Sequence, residues 1–199
     1  LEDELDFDVD AFNRQVITEP FNRTVLAEIA RDIDPESPDV QGKTLIFAVN
    51  DDHADLIVKI LKEIYTEMGV DNDAIMKITG SVGGGDKKKV RNAIKRFKNE
   101  RFPSVVVTVD LLTTGIDVPE ITTLVFMRRV KSRILFEQMM GRATRRCLEI
   151  HKTHFEIYDP VGVYDSLEAV NTMKPVVANP NATFEQLLDG LEVLEDERQ

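Results

Sequence analysis

Cysteine is nearly missing from this sequence: Cys147 stands alone among 199 residues. A disulfide framework within the chain is therefore excluded, and the usage fits a reducing compartment, so a cytoplasmic setting is expected. No apolar run approaches the roughly 20 residues that a membrane-spanning helix needs. The first ten residues, LEDELDFDVD, contain six acids and no base. They are neither a secretory signal nor a basic transit peptide. The absence of an initial Met leads us to expect a piece of something longer. No internal repeat is visible.

A complete phosphate cradle is missing as well. Gly42-Lys43-Thr44 matches the close of a P-loop, but Ser37 stands five residues before Gly42 where that motif needs Gly. The upstream segment DIDPESPDVQ is polar and carries Pro35 and Pro38, so it reads as a loop. TLIFAV follows, a strand-like run where the motif needs a helix. A loop leading into a buried strand is the expected structure here. Pro38-Asp39 with Gln41-x-Lys43 imitates a nuclease signature, but these residues are too close together to lie on two strands.

What is present suits one globular domain: 42% of the residues are hydrophobic and 31% charged. The net charge of −11 is concentrated at the two ends. Residues 1–10 hold −6 and residues 185–199 hold −5, leaving the 174 residues between them neutral overall. Two basic strips lie inside that neutral stretch. Residues 86–101 carry eight bases against two acids, and residues 127–146 carry seven against one. Local strips govern phosphate contact, so the total charge excludes no nucleic acid. A charge run is also often only a solvated face.

Along the chain, residues 10–17 and 19–33 read as helical, with Phe21, Val25, Ile29 and Ile33 forming one stripe. Strands then alternate with helices. Strands are expected at 44–49, 74–79, 104–109, 122–127 and 154–159. Helices are expected at 51–69 (capped by Asn50 or Asp51), at 86–100 with Val90, Ile94 and Phe97 inward, and from Ser132 to about Thr144. Gly83-Gly84-Gly85 reads as a flexible loop, and 161–199 as helical. Such alternation builds βαβ units with right-handed crossovers. The expected fold is therefore α/β, a three-layer parallel sheet with helices on both faces, plus helical extensions at both ends. The expected division is a lead-in at 1–41, the α/β domain at 42–160 and an acidic extension at 161–199.

In parallel sheets the functional loops lie at the carboxyl ends of the strands. Here those loops begin at Asn50, Gly80, Asp110, Met127 and Asp159. Two of them are rich in chemistry. DLLTTGIDVPEI holds Thr113-Thr114-Gly115 and Asp117, where Gly lets a ligand approach the backbone and nearby hydroxyls can meet phosphate. RRVKSRILFEQMMGRATRR holds Gln138-x-x-Gly141-Arg142-x-x-Arg145. On a helix this spacing would put Gln138, Arg142 and Arg145 on one face. Two guanidiniums suit a transferring phosphoryl group, because each offers a fixed fork of donors to its oxygens. A lone R-x-x-R is commonly a solvated face and a lone T-G-x-D a turn; both at the ends of successive strands are harder to obtain by accident.

TTGIDVPEI with FEQMMGRATRR resembles motifs V and VI of superfamily 2 helicases and translocases, and TLIFAVNDDHADLI resembles motif IV. Over residues 110–146 the likeness is closer to the motor (R) subunit of type I restriction enzymes. The resemblance implies the second RecA-like lobe of a two-lobe motor, with ATP between the lobes. It implies Arg145 as an arginine finger on the γ-phosphate, Arg142 assisting, and Gln138 positioning the attacking water or linking to the other lobe. Gly115 and Asp117 would touch the nucleotide or couple it to DNA. Thr113, Thr114, the Asn50 loop and the Gly80-Ser81 loop would hold the DNA backbone.

Mg²⁺ and the Walker A lysine would belong to the absent first lobe, so these residues alone should not hydrolyse ATP appreciably. The implied partners are double-stranded DNA, that first lobe, and the modification and specificity subunits; no membrane is implied. One departure stands out: many members have Thr before the Asp that ends the motif V strand, whereas Val109 precedes Asp110. Three other readings stay open: another superfamily 2 motor such as a repair helicase, a non-catalytic RecA-like interaction module, or a nucleic-acid-binding domain using 86–101.

Overall fold

In a computed structural model, the described residues are 2–109, 118–130 and 133–163, and they belong to one compact unit, Leu1–Val163. Two helices lead in, α1 (Glu2–Val16) and α2 (Glu19–Ile29), followed by the single turn α3 (Pro38–Gln41). Then come β1 (Lys43–Phe47), α4 (Asp51–Glu67), a 3-10 turn (Asn72–Ala74), β2 (Ile75–Lys77), α5 (Val82–Gly85) and α6 (Lys87–Asn99). The described residues end with β3 (Val105–Thr108), β4 (Ile121–Phe126), α7 (Arg133–Met140) and β5 (Glu156–Tyr158).

The five strands form one sheet in the order β2-β3-β1-β4-β5, and every pairing is parallel. β1 is buried at all five positions, as a central parallel strand covered on both faces must be. Its alternate residues serve two layers. Ile46, together with Val105, Val107 and Val125, joins a core with Leu26 and Ile29 of α2 and Ala54, Ile57, Ile60 and Leu61 of α4. Leu45 and Phe47 point the other way. Lys43 on that second side sits over the Phe97 ring of α6, and Phe126 meets Phe136 of α7. Helices thus cover both faces, as the alternating pattern predicts.

Local chemistry explains several element ends. The Asn50 side chain caps α4 by accepting from the His53 N–H at 2.9 Å, and Asp86 caps α6 by accepting from the Lys88 N–H at 2.8 Å. Several boundaries depart from the sequence reading. α1 begins at Glu2 rather than near residue 10, and α2 stops at Ile29, four residues early. β2 spans only three residues, and the expected loop at Gly83-Gly84-Gly85 contains the single helical turn α5.

The amino ends of the strands are tied by lysines. Gly42 has φ +81°, and a Cβ there would lie 2.6 Å from the Glu120 carbonyl oxygen, so only Gly fits. Lys43 is 4% exposed; its ammonium donates to the Phe97 and Glu100 carbonyls at the end of α6 and lies 3.5 Å from Glu120. Lys152 donates to the Pro119 and Ile121 carbonyls at the start of β4. Gly42-Lys43-Thr44 is therefore a structural junction at the amino edge, opposite the edge where parallel sheets bind ligands.

Candidate functional site at the carboxyl ends of the strands

α7 is brought to the carboxyl edge by an aromatic ladder. Phe47 and Phe126 are paired residues ending β1 and β4, and their rings stack at 5.3 Å. Phe136 of α7 continues the ladder onto Phe126, also at 5.3 Å. Gln138 is exposed on α7.

Here the structure corrects the sequence reading. α7 ends at Met140, not near Thr144, so Arg142 and Arg145 do not share a helical face with Gln138. The Gly141 N–H still takes the Glu137 carbonyl, but Arg142 and Ala143 N–H take carbonyls only three residues back, on Met139 and Met140. That tightening is a common helix ending. Thr144 closes the turn by donating its hydroxyl to the Gly141 carbonyl at 3.2 Å. Buried Met139, Ala143 and Cys147 pin the segment inward. Arg142 is left half-buried, with Arg145 and Arg146 exposed.

The β1 and β2 ends are joined by a cluster of residues distant in sequence. Asp51, first residue of α4, accepts the Thr79 hydroxyl at 2.5 Å and the Ser81 hydroxyl at 2.6 Å on one oxygen. Its other oxygen takes the Lys77 ammonium at 2.9 Å, which also reaches Asp55 at 2.7 Å. These bonds, led by that from Ser81, hold the Asp51 carboxyl down to about 2. Asn50 and Ser81 are thereby brought to one place. Gly80 beside them is exposed, with nothing within 4 Å of a Cβ built there. Asp51 had been legible only as a helix-start residue; its partners are 26 to 30 positions away.

Arg128 was also missed. Its guanidinium donates to the Val109 carbonyl at 2.9 Å, tying the end of β4 to that of β3. Val109 itself packs against the core, which accounts for an apolar residue at this position. Arg129 and Asn13 of α1 exchange two bonds, at 2.8 and 3.1 Å, and the Arg129 guanidinium lies 3.5 Å from the Phe12 ring centre. Thr113, Thr114, Gly115 and Asp117 lie outside the described residues.

The basic strip 86–101 becomes α6 and the turn after it. Phe97 and Ala93 face inward, while Lys87, Lys88, Lys89, Arg91 and Lys95 are exposed. Among the described residues, no group of three His, Cys, Asp or Glu could hold a metal ion, and no helix is long and apolar enough to cross a membrane.

Residues 20–147 match the family described as the helicase conserved C-terminal domain. The chain is 47% identical over 193 residues, 96% of its length, to the endonuclease subunit of the type I restriction enzyme EcoKI from Escherichia coli K12. It spans only 16% of that relative. A solved fragment described as an HsdR subunit of a type I restriction enzyme from Vibrio vulnificus YJ016 is similar, with TM-score 0.62 and 28% identity. That match covers 77% of this chain and 28% of the fragment. Domain 2 of the DEAD-box helicase Mss116p, solved with an RNA duplex, shares the fold at TM-score 0.54 and 18% identity, covering 74% of this chain and 50% of that one.

Proposed function

Since the chain belongs to the helicase conserved C-terminal domain family, we propose that it is the second RecA-like lobe of a type I restriction-enzyme motor subunit, an ATP-driven translocase on double-stranded DNA. The observation that supports this reading is the Gly141–Arg145 turn that follows α7, the helix packed on the end of β4 through the Phe47–Phe126–Phe136 ladder. The likeness to type I endonuclease subunits supports the narrower assignment.

ATP is the substrate, bound in a cleft completed by a first lobe of the same protein. Arg145 reaches across as an arginine finger, Arg142 assists from its half-buried position, and Gln138 orients water or meets the other lobe. Charge spreads over the phosphoryl oxygens in the transition state, and two fixed guanidinium forks stabilise it there. Mg²⁺, held by the first lobe, would neutralise phosphate charge when bound. Gly115 and Asp117 contact the nucleotide, while Thr113, Thr114, Asn50, Gly80 and Ser81 hold the DNA backbone. The modification and specificity subunits complete the assembly, in the cytoplasm.

An arginine finger contributes about 10³–10⁵ in rate, roughly 4–7 kcal/mol, against about 0–1 kcal/mol for a surface ion pair. Arg145→Ala in the full-length subunit, assembled with its partner subunits, is therefore expected to lower DNA-stimulated ATP turnover about 10³-fold. The unfolding temperature should stay unchanged, because Arg145 is exposed. Retention of more than about a tenth of the turnover would overturn the assignment. Turnover that rises with DNA length, without strand separation, distinguishes a translocase from an unwinding helicase.

A further inference from the structure

An acid on a surface that receives phosphates repels its own ligand. Asp51 stands on such a surface, beside Asn50 and Ser81, and its side chain is 41% exposed. Both of its oxygens are turned to neighbours within the chain: the Thr79 and Ser81 hydroxyls on one, the Lys77 ammonium on the other. The Thr79 and Ser81 hydroxyls also lie 2.9 Å from each other. Of the three donors, Lys77 ends β2 and Thr79 and Ser81 lie in the connection after it, while the acceptor opens the helix after β1. These two strands are not adjacent, since β3 lies between them. No backbone pairing joins their ends directly, so the Asp51 contacts fix the spacing of the two loops.

We propose that Asp51 is a positioning residue which, through Thr79, Ser81 and Lys77, holds the Asn50 and Gly80-Ser81 loops in the one arrangement that accepts the DNA phosphate backbone. This deepens the reading above and rests on it. The carboxylate does not touch DNA; its charge is satisfied internally, and its contribution is the fixed separation of two loops. The consequence has an unusual sign. Removing a negative charge from a DNA-binding edge ordinarily tightens binding, whereas removing a positioning group loosens it.

The test uses the full-length subunit in its assembly and a DNA duplex of fixed length and sequence. Asp51→Ala should raise the apparent Kd for DNA about tenfold, the worth of roughly one charged hydrogen bond. Thr79→Val is the second arm. Thr79 is 7% exposed, so it is too buried to meet DNA, and the change is neutral in charge and nearly equal in shape. It should weaken DNA binding in the same direction, and the double variant should be no weaker than Asp51→Ala alone, because both remove one linked unit. Amide exchange at 79–81 should quicken in both, with β1 and β3 unchanged. Binding that is unaltered in Thr79→Val, or tighter in Asp51→Ala, overturns the proposal. A wild-type assembly that does not bind DNA through this lobe fails the underlying reading instead, and the proposal with it.

Discussion

Lys43 shows how much a residue's role depends on which edge of a sheet it occupies. In the sequence it completes the close of a phosphate-binding motif; in the fold its ammonium caps the carbonyl end of α6. Cations there are favoured by the helix dipole as well as by the two hydrogen bonds. Lys43→Met should therefore cost about 2–3 kcal/mol of stability, because Glu120 and two carbonyls lose a buried partner. A lower urea midpoint with ATP turnover per folded full-length molecule retained is the expected pair of results. Loss of turnover at unchanged stability would mean that Lys43 handles phosphate after all. The missing early Gly already pointed to the structural role, whereas the lysine's partners, more than 50 residues away, were not visible locally.

Elements in the middle of the sheet were legible because burial on both faces writes a simple pattern. TLIFAV and SVVVTV read as strands, and both lie at the centre, in β1 and β3. One cap was legible too, since Asn50 acts on an N–H group three residues onward. The end of α7 was not. Gly141 stands just past Met140, where helices commonly stop, but FEQMMGRATRR alone does not decide whether such a Gly ends a helix or is carried within it; buried Ala143 and Cys147 anchor the chain beyond it. Gln138, Arg142 and Arg145 therefore do not share a helical face, although all three lie within one short segment. Because the ladder through Phe136 is what sets that segment's place, Phe136→Ala should lower ATP turnover of the full-length protein about tenfold or more. Exchange protection in β1, β3 and β4 should persist. Full turnover in this variant would show that the turn is placed by other contacts.

Over the whole molecule, acid should act in two stages. His53 is fully buried: its Nδ1 accepts the Val49 N–H, so Nε2 carries the proton and donates to Asn22 at 2.8 Å. Asn22 in turn donates to the Val16 and Thr18 carbonyls, joining α1, α2 and α4. Burial pushes the His53 pKa from 6.5 down to about 4. Between those values the unfolded chain binds a proton that the folded chain refuses, so stability falls as pH drops through that window, by about 3 kcal/mol at most. His53→Gln should flatten the fall between pH 7 and pH 5 in urea titrations; an unchanged slope would place the titrating group elsewhere. Asp51, with its carboxyl lowered to about 2, adds stability above its ordinary value of 3.8 that is lost between 3.8 and 2. Its exposure leaves this second stage small.

The lysines beneath the strands have a mechanical meaning. Lys43 fastens β1 to α6, and Lys152 fastens the start of β4, so the underside is laced by groups remote from the loops above. A lobe laced in this way transmits a load applied at its top without shearing one strand past the next. Under the motor function proposed above, thrust arising at the nucleotide would travel to the DNA through a solid block, and the lobe would swing as a lever does rather than bend as a spring.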